Sequence, residues 1–195
     1  FEVGRNIATT EGAVVFRNEL MELIQYTPMT ETVHRTPLVI FPPWINKFYI
    51  MDLKPQNSLI RWIVEQGYTL FVVSWKNPDT SYADKGLEDY VEHGYLEAVR
   101  VAREITGEKD VNTIGYCIAG TTLSAVLSLL KKRGEKPIKS ATFFTTLTDF
   151  SVQGEFTVFL QDDFVDAIQR QVEAEGMLDS YIMSKTFSFL RARDL

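Results

Sequence analysis

The chain has 195 residues, 45% hydrophobic and 24% charged, with 20 Lys and Arg against 26 Asp and Glu for a formal net charge of −6. That length and apolar share suit one globular domain with a core of its own. The acidic balance excludes a nucleic-acid binder, which sets clustered Lys and Arg against phosphate.

In chain order, Val14–Phe16 and Leu20–Tyr26 are predicted as two short strands around the polar turn Arg17-Asn18-Glu19. The polar, proline-containing stretch Thr27–Thr36 is predicted as a loop. Pro37 then leads into Leu38-Val39-Ile40-Phe41, an apolar run of the kind found in strands buried on both faces, and Pro42-Pro43 ends it because proline donates nothing to a sheet ladder. Asn57–Gln66 is predicted helical, with Leu59, Ile60, Ile63 and Val64 on one face and Gly67 as its stop. Strand Thr69–Trp75, helix Leu87–Ile105, strand Val111–Tyr116, helix Thr121–Arg133 and strand Ser140–Leu147 follow. The cluster Lys131-Lys132-Arg133 falls at the end of the last of these helices, where positive charge favours the terminus.

This β-α-β-α-β-α-β order predicts an α/β fold with a mostly parallel sheet and helices on both faces. After Asp149 the pattern loosens. Val165–Ala174 is predicted helical, and Phe187-Ser188-Phe189-Leu190 is apolar without an evident partner. Residues 1–149 are thus expected to form a partial core, and 150–195 part of an insertion covering the carboxyl edge of the sheet. Phe1 is no start residue and Arg193-Asp194-Leu195 closes no element, so both termini are expected to be truncated. No run reaches the ~18 apolar residues of a membrane-spanning helix, and Phe1-Glu2-Val3-Gly4-Arg5 lacks the form of a signal peptide. A cytoplasmic location is expected.

Open parallel sheets bind ligands beyond the carboxyl ends of their strands. At that end of the third parallel strand stands Gly115-Tyr116-Cys117-Ile118-Ala119-Gly120, between a strand and a helix. This is the setting of a nucleophile elbow, usually Gly-x-Ser-x-Gly, with small residues two before and two after the nucleophile. Gly115 meets the first demand. Ala119 departs from the second by one methyl, and Gly120 is placed to relieve the crowding. The single cysteine excludes an intrachain disulfide, and by itself it reads either as a buried hydrophobe or as a nucleophile. In this setting Cys117 is assigned as the nucleophile: a thiolate outperforms a hydroxyl near neutral pH and forms thioesters. The Ile118 N–H is the expected oxyanion donor, with a second from the loop after the first parallel strand, Pro42–Ile50. That loop is rich in aromatics and reads equally as one packed onto its own core.

The base is missing. In this fold an acid and then a histidine follow the nucleophile, yet both histidines, His34 and His93, precede Cys117 and are assigned structural roles. Asp149 is assigned to a cap or turn. No phosphate-binding glycine loop and no zinc-spaced His/Cys set occurs, so neither cofactor nor metal is expected.

The segments 1–26, PPWINKFYIMDL (42–53), VSWKNPD (73–79), GYCIAG (115–120), TTLTDF (145–150) and TFSFLRARDL (186–195) together resemble the class I polyhydroxyalkanoate synthases. The resemblance implies an α/β-hydrolase fold with the start of a cap insertion after the elbow helix and the next strand. It also implies an acyltransferase that polymerises (R)-3-hydroxyacyl-coenzyme A into polyester with release of coenzyme A. Under it Cys117 carries the chain as a thioester, Ile118 and Ile50 donate to the oxyanion, and the catalytic Asp and His fall beyond Leu195. It further implies homodimers on polyester granules for full-length members, with this piece alone inactive. Two alternatives stay open: a thioesterase or polyester depolymerase on the same fold, and a non-catalytic granule-associated protein.

Overall fold

The computed structural model describes residues 1–152 and 161–191. The expected insertion at 150–195, and the resembling segment at its end, therefore lie outside the described residues at 153–160 and 192–195. Contacts divide the chain into one unit of Phe1–Lys76 with Gly86–Thr148 and a second of Asn77–Lys85 with Asp149–Leu195.

In the first unit the strands are β1 (Gly12–Arg17), β2 (Met21–Tyr26), β3 (His34–Phe41), β4 (Asp52–Lys54), β5 (Asn57–Ser58), β6 (Tyr68–Trp75), β7 (Val111–Tyr116) and β8 (Ile138–Phe144). Six of them form one sheet in the order β1-β2-β6-β3-β7-β8, and β4 and β5 make a separate hairpin. The pairs β6–β3, β3–β7 and β7–β8 are parallel, while β1 and β2 join antiparallel at one edge. The helices are α1 (Leu59–Glu65), the continuous helical run 87–106 (α2) and α3 (Ile118–Arg133).

The apolar runs explain the layering. Along a strand, side chains alternate between faces. Val39 and Phe41 of β3, with Phe71 and Val73 of β6, join a core with Ala98, Ala102, Leu123 and Val126 of α2 and α3. Their neighbours Leu38, Ile40, Leu70 and Val72 join Ile60, Ile63 and Val64 of α1 in a second core. Both faces are covered, so a strand with polar alternation would leave polar side chains buried, and continuous apolar runs are what such a sheet requires.

Several boundaries differ from expectation, each for a local reason. β3 begins at His34, whose N–H donates to the Gly67 carbonyl at 2.8 Å, so His34 is a strand residue. The register shifts between His34 and Leu38, which is where Pro37 withholds a donor. Helix α1 starts at Leu59 because Asn57 and Ser58 pair with β4, and Ser58 Oγ caps the helix by accepting the Arg61 N–H at 2.8 Å. β8 ends at Phe144, since the next residue, Thr145, turns to φ 41°. Within α2 the residues Tyr90–Leu96 form a π-turn, in which a Cβ at Gly94 would stand 2.7 Å from the Trp75 ring.

The second unit contains helices α4 (Asp162–Glu175) and α5 (Ser180–Arg191). α4 begins three residues before the predicted start, with Asp162 and Asp163 favourably placed in its first turn. The Phe187–Leu190 stretch lies within α5.

Candidate active site

β7 runs between β3 and β8 and delivers the chain to Cys117, which adopts φ 57° and ψ −127°. For a side-chain-bearing residue such a backbone costs about 1–3 kcal/mol and persists only where the surroundings over-determine it. They do so here: the Cys117 N–H donates to the Phe144 carbonyl at 2.9 Å. The Cys117 carbonyl accepts from the N–H of Gly120 at 2.9 Å and of Thr121 at 3.3 Å. The thiol makes no cap bond to the helix it precedes and is exposed. A strained, exposed residue between a buried strand and a helix is the geometry of a nucleophile elbow.

The close approach at this turn falls between Gly115 and Gly120. A Cβ on Gly115 would lie 2.6 Å from Gly120 Cα, and one on Gly120 would collide with Thr146 Oγ1. Ala119 faces elsewhere: it is fully buried in the core beside Leu123 and Val126. The methyl that departs from the usual elbow pattern therefore costs nothing, because the position requiring glycine is one residue later.

Ile118 is the first residue of α3, where helix N–H groups lack an intrahelical acceptor. Among the described residues none accepts its N–H. Ile50 differs. It lies in the short helical turn Phe48–Met51, and its N–H donates to the Lys47 carbonyl at 3.1 Å. In this structure that N–H is committed, and it reaches a ligand only if the turn opens.

Sequence reasoning missed the groups that support both segments. Trp75 Nε1 donates to the Pro42 carbonyl at 2.8 Å, tethering the start of the loop after β3. The Tyr95 hydroxyl donates to the Ala119 carbonyl at 2.9 Å, its ring stacked on Phe41 with centroids 4.3 Å apart. Burial pushes the Tyr95 phenol well above its ordinary range, with a smaller opposing effect from the Thr122 hydroxyl, so it remains a donor. A third support is a clasp at the hairpin. Asp52, fully buried, accepts from Thr10 Oγ1 at 2.7 Å, Ser58 Oγ at 2.7 Å and the Thr10 N–H at 3.2 Å. The aromatic density of 42–50 hinted at packing, but no spacing rule links Tyr95 to a carbonyl 24 residues later.

His34 and His93 do not reach this site through any described contact. His34 opens β3, and its ring packs on Tyr68 at 4.7 Å. Phe41 of the same strand pairs with Gly115, so His34 starts about 20 Å away along the sheet at ~3.3 Å per residue. His93 is exposed in the π-turn, and its carbonyl accepts from Asn18 Nδ2 at 2.7 Å. Asp149, in the second unit, holds a turn: its Oδ1 accepts the Ser151 N–H at 2.9 Å, and that bond keeps its carboxyl below the usual carboxylate range.

Comparison with known proteins finds likeness in sequence and, separately, in fold. A family model described as the poly-beta-hydroxybutyrate polymerase (PhaC) N-terminus matches residues 1–63. Over all of its length the chain is 47% identical to the poly(3-hydroxyalkanoate) polymerase subunit PhaC of Cupriavidus necator, covering 34% of that protein. It is likewise 48% identical to the poly(3-hydroxyalkanoate) polymerase of Methylorubrum extorquens, covering 32%. The chain thus spans about a third of the length of the curated relatives it matches. Among solved structures, EstE7, an HSL homologue from a metagenome library, aligns with a TM-score of 0.57 at 13% identity, over 78% of this chain and 50% of that one. An ester hydrolase from the metagenome of Lake Arreo aligns at 0.54 and 13%, over 82% and 51%. At that identity the likeness speaks to the fold, which is α/β-hydrolase. Over its whole length the chain is thus similar in sequence to poly(3-hydroxyalkanoate) polymerases, and it has the α/β-hydrolase fold.

Proposed function

We propose that this segment carries the nucleophile of an acyltransferase that polymerises (R)-3-hydroxyacyl-coenzyme A into polyester. The observation that carries the reading is Cys117, exposed and strained at the strand–helix turn, in a chain 47–48% identical to proteins named poly(3-hydroxyalkanoate) polymerase. In this reading the Cys117 thiolate attacks the thioester carbonyl. A bond from Sγ to the acyl carbon forms, and the carbonyl oxygen takes the negative charge while facing the Ile118 N–H. Collapse breaks the bond to the coenzyme A sulfur, which leaves as a thiolate and takes a proton. The acyl group then sits on Cys117 as a thioester, and the hydroxyl of another hydroxyacyl unit attacks it, losing its proton to a base and releasing Cys117. Each addition combines a thioester exchange onto Cys117 with an acyl transfer from that thioester to a hydroxyl, two exchanges without net oxidation or reduction.

Ile50 belongs to the proposal only as a donor freed by opening of the Phe48–Met51 turn. The division into a core at 1–149 and a cap segment at 150–195, the dimer and the granule surface are likewise proposals, drawn from the family. The test is thiol release from 3-hydroxybutyryl-coenzyme A by a full-length polymerase containing this segment, parental and Cys117→Ala. Loss of release together with loss of acyl label on the protein supports the reading, and near-parental turnover overturns it. Release of free hydroxyacid without polymer would make the protein a thioesterase.

A further inference from the structure

We infer that Tyr95 is a positioning residue for the oxyanion donor, acting on the Ile118 N–H through a chain of two peptide groups. The inference rests on the function proposed above and deepens it. The chain can be followed bond by bond. The Tyr95 hydroxyl donates to the Ala119 carbonyl at 2.9 Å. That carbonyl shares its peptide group with the Gly120 N–H, which donates to the Cys117 carbonyl at 2.9 Å. The Cys117 carbonyl in turn shares its peptide group with the Ile118 N–H, which stands at the head of α3 without an acceptor among the described residues. Donation into a peptide carbonyl withdraws electrons from the same group's N–H and makes it a better donor, so bonds in series reinforce one another. The end of this series is the N–H at which negative charge develops.

The surroundings fix the first link. Tyr95 is fully buried, stacked on Phe41 of β3 at 4.3 Å and tilted against Trp75 at 5.5 Å. Phe41 pairs in register with Gly115, two residues before the nucleophile. A flexible side chain would lose rotamer freedom on making this bond, whereas a wedged tyrosine loses little at the moment of reaction. The Thr122 hydroxyl donates to the Ile118 carbonyl at 3.1 Å, so it braces the first turn beside the chain. The space for the ring comes from the π-turn Tyr90–Leu96, which seats Tyr95 between the sheet and α3 while Gly94 accommodates Trp75.

Tyr95→Phe removes the hydroxyl and leaves the ring stack. In a full-length polymerase containing this segment, single-turnover acylation of Cys117 by 3-hydroxybutyryl-coenzyme A should slow by about three- to tenfold, the size of one hydrogen bond's reinforcement. Half-saturation for the thioester should stay within about twofold. Alkylation of Cys117 by iodoacetamide, which develops no oxyanion, should also stay within about twofold. The carbonyl stretch of the 13C-labelled acyl-enzyme should move to higher frequency, since the donor facing it is weaker. Unchanged acylation overturns the inference. So does a parallel fall in acylation and alkylation, which would make the hydroxyl a support of the thiol alone. Should Tyr95→Phe fail to fold, Tyr95→3-fluorotyrosine keeps ring and hydroxyl and donates more strongly; faster acylation supports the inference, and an equal or lower rate overturns it. If the parental enzyme shows no acylation of Cys117 at all, it is the proposed function that fails, independently of Tyr95.

Discussion

Two places in the first unit set polar groups against the apolar core, and they are built in opposite ways. At the clasp the buried Asp52 carboxyl accepts three hydrogen bonds, two from Thr10 and one from Ser58, and the one positive φ nearby, 53° at Ala8, is held by its N–H donating to the Asp52 carbonyl at 2.9 Å. At the elbow Cys117 holds a positive φ, its thiol caps nothing, and the Ile118 N–H beside it has no acceptor among the described residues. Satisfied groups lower the energy of one state and have little left to offer a ligand. An unmet donor is left for what binds there, while the strained backbone holds the thiol in an exposed position. Burial of a polar residue is therefore a poor pointer to chemistry; what matters is whether its bonding is complete.

The comparison can be broken by mutation, and the largest effect is expected at the proposed nucleophile. Cys117→Ala in a full-length polymerase should lower coenzyme A release by at least ~10³-fold with the thermal midpoint little changed, because it removes the covalent route itself. Cys117→Ser should keep the fold and lose most activity, which turnover assays on folded protein would register. Next comes Gly115→Ala. Its Cβ would stand 2.6 Å from Gly120 Cα, a backbone atom that cannot step aside, so it should destabilise by about 1–3 kcal/mol and distort the turn as well. A denaturation midpoint equal to that of the parent would show that the approach of Gly115 to Gly120 is looser than described.

Asp52→Ala should act in the opposite sense to Cys117→Ala. It leaves the Thr10 and Ser58 donors without their acceptor and should cost about 2–3 kcal/mol in urea denaturation, while folded enzyme retains its turnover. Lost turnover with stability intact would erase the contrast and move the clasp into the chemistry. The smallest effect is expected from His34→Gln and His93→Gln, each within about twofold of parental turnover. A large loss from either, with stability unchanged, would place a base before the nucleophile in the chain.

Much of this was legible in advance, and the divide follows interaction range. The buried strands were readable from LVIF and TLFVV, because a sheet covered on both faces demands unbroken apolar runs. The placement of Cys117 between strand and helix was readable because such a turn is local, needing only a strand, a small residue at 115 and a following helix. Its glycine requirement was readable only in part: the usual spacing pointed to Ala119, whereas the approach falls on Gly120. Tyr95, Trp75 and the bond between Asp52 and Thr10 were invisible because their partners stand 24, 33 and 42 residues apart, which leaves no periodic trace. The start of β3 at His34 was hidden by its polar composition, since that end of the strand is exposed and carries no apolar signal.

The indole tether to Pro42 also gives the protein an optical property. Of the three tryptophans, Trp62 is 56% exposed and Trp75 only 8%, with Tyr95 and Tyr90 rings 5.5 and 5.6 Å from the latter. Light absorbed by those tyrosines passes efficiently to an indole at such separations, and an indole in dry surroundings emits at shorter wavelength than one in water. With Trp44 and Trp62 both replaced by Phe, the emission of Trp75 becomes a local gauge beneath both the elbow and the loop after β3. A thioester that opened that loop on binding would register as a change of colour before any product had formed.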